Sequence, residues 1–100
     1  MKYKTRPGVV LTDVCGEFVL VSAKKNRELC PYVTTVNETS AFLWNRLIDG
    51  ADLSELMDAV RAEYEIDDAA AAEQAVRAFL QQMHELNYLV TADQGGEDEE

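Results

Sequence analysis

Residues 31–37, Pro31-Tyr32-Val33-Thr34-Thr35-Val36-Asn37, read as a short extended run that passes without a linker into a helical pattern, Glu38 to Gly50. The side-chain period changes from two to 3.6 at a single residue, Asn37. Period two puts Tyr32, Thr34 and Val36 on one face and Val33 and Thr35 on the other. Threonines stand where a core strand is usually apolar, and Tyr32 to Val36 carry no charge. A chain of 100 residues is a single domain with one modest core. It is too small to cover both edges of such a strand, so the question is what the strand pairs with.

Two further strands precede it. Arg6-Pro7-Gly8 is a breaker before the run 9–14, Cys15-Gly16 reads as a turn, and the run 17–23 is rich in β-branched and aromatic residues, so the two runs form a hairpin. Three helical stripes follow. Asn37 caps the first, which carries Ala41, Trp44, Leu47 and Ile48 and ends at Gly50. Asp52 to Glu55 has the form of a capping box for the second, with Leu53, Leu56, Met57, Val60 and Tyr64 in its stripe. The third starts at Asp67 or Asp68, turns Ala72, Val76, Phe79, Leu80, Met83 and Leu86 to the core, and closes at Asn87. Tyr88 to Val90 is a short extended stub. The expected class is α+β, a three-stranded antiparallel sheet followed by three helices. Residues 1–92 form the domain, and 93–100 are expected to be a disordered acidic tail.

Charge and cysteine usage narrow the function. Residues 1–50 hold seven Lys/Arg against five acids, whereas residues 51–100 hold two Arg against fourteen acids. That balance repels nucleic acid and favours a protein or peptide partner. No apolar run reaches membrane-spanning length and no apolar segment follows the charged N-terminus, so a cytoplasmic location is expected. Cys15 and Cys30 are read as two reduced, partly buried thiols, and His84 as a surface residue. No metal-ligand spacing, phosphate loop or nucleophile beside a histidine occurs, so neither a cofactor nor enzymatic activity is expected. Phe42 and Trp44 are read as core.

Surface is what remains. Laid in sequence order, the third strand is an edge, guarded only at its start by Pro31. It is either covered by the third helix or a template for an added strand from another chain. Ala71, Ala75, Ala78 and Gln82 form a flank beside the helix's core stripe, and the three alanines would let an extended backbone approach closely.

The ordered set Val36-Asn37-Glu38-Thr39, Trp44, Gly50 after Leu47-Ile48-Asp49, Leu53/Leu56, and Phe79-Leu80 with Leu86 resembles the PqqD family, the RiPP recognition elements, from Arg6 to about Val90. The resemblance implies a winged helix-turn-helix-like domain. It also implies a non-catalytic role: binding the leader segment of a ribosomally made precursor peptide and presenting it to a modifying enzyme, often a radical SAM protein. The leader would lie as a strand against Tyr32, Val33, Thr34, Thr35 and Val36, in a cleft walled by the third helix near Ala71, Ala75, Ala78 and Gln82. Asn87, where relatives often carry Gly, is a departure. Two other readings stay open: an adaptor or homodimer paired through the same edge, and a winged-helix DNA-binding protein, against which the charge argues.

Overall fold

The computed structural model describes residues 2–26 and 28–91. The strands are β1 (Tyr3–Thr5), β2 (Val9–Val14), β3 (Glu17–Ser22), β4 (Val33–Val36) and β5 (Leu89–Thr91). The helices are α1 (Glu38–Leu47), α2 (Leu53–Glu63) and α3 (Ala69–Glu85). A 3-10 turn at Lys24–Asn26 lies between β3 and β4. The expected acidic tail, 93–100, lies outside the described residues.

β2, β3 and β4 form an antiparallel sheet in that order. Cys15 and Gly16 both take positive φ at the hairpin tip, which matches the turn to the right-handed twist of the strands. The Asp13 carboxylate accepts the Gly16 N–H at 3.0 Å there. At the other end of β2, Gly8 has φ +92°, and a Cβ on it would stand 2.8 Å from Asn26 Nδ2. The buried Asn26 amide donates to the Pro7 carbonyl at 2.9 Å, so this corner needs the missing side chain.

One core joins Val9 and Leu20 of the sheet to Leu43, Trp44, Leu47, Leu56, Val60, Val76, Phe79, Leu80, Met83 and Tyr88. The expected stripes face this core, with Leu53, Tyr64, Ala72 and Leu86 partly buried at its margin, but Ile48, expected in the first stripe, is exposed because it lies past the last turn of α1. Phe42 packs at the margin against Tyr64, edge to face at 5.5 Å. Each helix begins at the expected cap. Asn37 accepts Ser40 N–H at 2.8 Å, Asp52 and Glu55 form the reciprocal capping box, and Asp68 accepts Ala71 N–H at 3.1 Å. Gly50 and Asn87 take the left-handed conformations expected of them.

The fold departs from expectation in four places. β4 begins at Val33 rather than Tyr32, β3 ends at Ser22, and α2 ends at Glu63 rather than Glu65. The fourth is an addition: β1 pairs with β5 as a separate two-stranded ribbon, Tyr3 opposite Thr91. Tyr3 also exchanges backbone bonds with Ala51, at 2.8 and 2.9 Å. Three-residue strands carry almost no local signal, and this pairing closes nearly the whole chain. Both cysteines are free thiols, but neither is partly buried as expected: Cys15, at the hairpin tip, is exposed, and Cys30, packed in the core, is buried. His84 is exposed, its ring edge-on to Tyr3 at 6.4 Å.

Candidate functional site: an open strand edge and an apolar groove

The register of β3 against β4 decides which peptide groups of β4 face outward. Ser22 N–H donates to Tyr32 C=O at 2.8 Å, so Ser22 and Tyr32 form a hydrogen-bonded pair. In an antiparallel ladder such pairs alternate with non-bonded ones. Leu20 pairs with Thr34 and Phe18 with Val36, so Thr34 and Val36 spend their backbone groups on β3. Val21 stands opposite Val33 and Val19 opposite Thr35 without bonding. The N–H and C=O of Val33 and Thr35 therefore point away from the sheet. Among the described residues no strand pairs with that edge.

Within the expected binding strand, Tyr32 to Val36, the outward groups are thus those of Val33 and Thr35. Only alternate residues present free groups, because the others hold the edge strand to its neighbour.

The inner face of β4 explains its threonine. Thr34 Oγ1 and Tyr88 Oη are hydrogen-bonded at 2.5 Å, and Tyr88 Oη also donates to Pro31 C=O at 3.1 Å. Tyr88 is fully buried, edge-on to Trp44 at 6.2 Å. A valine at 34 would leave the phenol one partner short in the core. Ser22 Oγ donates to the same Pro31 carbonyl at 2.7 Å and sits 3.3 Å from Cys30 Sγ. Below the strand, Asn87 Nδ2 donates to Leu29 C=O at 2.6 Å, and the Arg6 guanidinium donates to Asn87 C=O. The edge is thus held from beneath by the segment that follows α3. Tyr32 and Val33 are exposed, at 58% and 50%.

At the C-terminal end of β4 an apolar groove of about 410 Å³ opens between the three helices. Asn37, Thr39 and Ser40 of the α1 start form one side, Tyr64 and Ile66 after α2 another, and Ala72 and Ala75 of α3 a third. Leu43, Val60, Val76 and Phe79 form the floor. Of the expected helix wall, Ala71, Ala75, Ala78 and Gln82 are all exposed, and Ala75 alone lines this groove. Ala72, Val76 and Phe79, read from the sequence as core only, form its wall and floor. Tyr64 was legible as the end of the α2 stripe, and Ile66 carried no signal beyond its hydrophobicity.

A second hollow of about 860 Å³ lies on a different face of α3, between Tyr3, Thr91, the start of α2 and Arg77, Gln81 and His84. Arg77 is paired there with Glu73 at 2.9 Å. Among the described residues no group of three His, Cys, Asp or Glu could hold a metal ion, and no helix is long and apolar enough to cross a membrane. The Glu55 carboxyl has a displaced titration. The Asp52 N–H and then the Lys2 ammonium hold it below its ordinary value of 4.5. It lies away from the groove.

Comparison with known proteins follows this geometry. The family model described as coenzyme PQQ synthesis protein D (PqqD) matches residues 17–89. Two solved structures share the fold. A lasso peptide synthetase B1 complexed with its leader peptide superposes with a TM-score of 0.68 at 20% identity, over 88% of this chain and 96% of that one. TbiB1 in complex with the TbiA(beta) leader peptide gives 0.67 at 23% identity, over 96% and 99%. No curated protein sequence gives a significant match.

Proposed function

The chain belongs to the PqqD family, and from that premise we propose that it binds the leader segment of a ribosomally synthesised precursor peptide by strand addition. The observation that carries the reading is the outward-facing row of backbone groups at Val33 and Thr35, next to an apolar groove. A guest strand on β4 gains main-chain hydrogen bonds worth ~1 kcal/mol net each. Its alternate side chains fall on the face of Thr34 and Val36, toward the helices, and on the outer face beside Val33 and Thr35. An apolar side chain seated over Val76 and Phe79 supplies the rest. Two solved proteins of the same fold are described as complexes with leader peptides.

The protein then acts as a presenting module and not as a catalyst, delivering the precursor to a modifying enzyme such as a radical SAM protein or a lasso-type peptidase or cyclase. A DNA-binding role is disfavoured by charge. Arg77, the lone base of α3 apart from His84, is bound to Glu73.

The test is titration calorimetry with the leader segment of a precursor encoded beside the gene. The expected result is one-to-one binding at micromolar affinity or tighter, about −8 kcal/mol. Absence of heat at tens of micromolar protein overturns the reading. An edge-paired homodimer would compete for the same groups. Light scattering that shows a dimer dissolved by the leader still supports peptide binding, whereas a dimer that the leader leaves intact favours the self-paired module.

A further inference from the structure

We propose that the guest is cationic where it meets the groove: a bulky apolar side chain over Val76 and Phe79, with Lys or Arg close to it in sequence. This inference rests on the strand-addition reading and specifies its ligand. The groove is lined by apolar and neutral residues, and four acids adjoin that lining along the chain. Glu38 stands between Asn37 and Thr39, Glu63 and Glu65 flank Tyr64, and Asp67 follows Ile66, so each adjoins a groove-lining residue. All four are exposed, and none belongs to an ion pair among the described residues. The arginines of α2 and α3 are paired with other acids, Arg61 with Asp58 and Arg77 with Glu73.

An apolar guest segment with acidic flanks would bring like charges together at this mouth. Basic flanks would be attracted from beyond contact distance, which raises the association rate and selects among otherwise similar extended segments. The backbone edge at Val33 and Thr35 reads no sequence, because every peptide offers the same N–H and C=O groups. Discrimination therefore falls to the groove and the acids that adjoin it.

The experiment pans a random peptide library on the immobilised full chain and on Glu38→Gln/Glu63→Gln/Glu65→Gln/Asp67→Asn. That variant leaves the α3 cap Asp68 in place, and its fold is checked by circular dichroism. Peptides selected by the wild type are expected to carry Lys or Arg beside an aromatic or aliphatic residue, and the variant is expected to lose that bias. Affinity of a selected peptide for the wild type should fall roughly tenfold between about 0.05 and 0.3 M salt, and hardly at all for the variant. Selection of neutral or acidic peptides, or an equal salt response in both proteins, overturns this inference and leaves strand addition standing. Failure to select any peptide overturns both.

Discussion

Thr34 Oγ1 of β4 is hydrogen-bonded to Tyr88 Oη at 2.5 Å, joining the outer strand to the residue that follows the last helix. The strand edge is therefore set by a contact between parts of the chain 54 residues apart. Replacing Tyr88 by Phe, or Thr34 by Val, is expected to lower stability by about 1–2 kcal/mol, because each leaves a buried polar partner short. The double variant should lose less than the sum, with a coupling of about 1 kcal/mol. Urea unfolding of the four proteins measures it, and strict additivity would contradict a direct bond.

Proline along β4 separates fold from binding. At Val33 or Thr35 it removes an outward N–H and blocks the approach of a guest strand. Peptide binding should be lost while circular dichroism and melting temperature change little. At Thr34 it removes a ladder donor to β3, so the fold itself should weaken and melt at a lower temperature. Equal damage to stability at all three positions would contradict the assigned register.

Filling the groove tests its part in recognition. Ala75→Trp places an indole where the guest's anchor would sit, and is expected to weaken peptide binding by tenfold or more, about 1.4 kcal/mol. Ala71→Trp and Ala78→Trp, on the same exposed flank but outside the groove wall, should weaken it less. Calorimetry on the three variants compares them directly. A uniform loss would extend the site along the whole flank.

Acid sensitivity follows from Glu55. Its carboxylate accepts the Asp52 N–H at 3.0 Å and is bridged by Lys2 at 3.1 Å, which lowers its pKa in the folded protein. A depressed carboxyl pKa stabilises the fold above the unfolded value near 4.5, and that contribution disappears as pH falls through the folded value. Glu55→Gln keeps an acceptor for the cap but no charge. The variant should differ from wild type at pH 7 and converge with it well below pH 4.5 in urea midpoint. A constant difference across that range would mean the carboxylate's charge contributes nothing.

Trp44 anchors the core, with 1% of its surface accessible. Truncation to Ala is expected to cost about 3–5 kcal/mol, a large share of the roughly 5–15 kcal/mol that holds a domain this size. A melting transition shifted to markedly lower temperature is the expected readout.

The sequence alone determined the order of the three sheet strands and three helices, most of the buried stripe of each helix, the three caps and the hairpin turn. These depend on residues a few positions apart, through period, capping chemistry and positive-φ tolerance, so the string of side chains contains them. It also identified β4 as an uncharged strand at the end of a meander. Tertiary structure alone decided that Val33 and Thr35, and not their neighbours, present free peptide groups. A one-residue shift of register reverses that assignment, and register is set by the Ser22–Tyr32 pair and by what lies beneath the strand. Tyr88 as the partner of Thr34, the β1–β5 ribbon, and the groove that gathers Asn37, Tyr64, Ile66 and Ala75 are likewise products of packing. Each joins residues far apart in the chain, and no local pattern in a single sequence records which distant surfaces will meet.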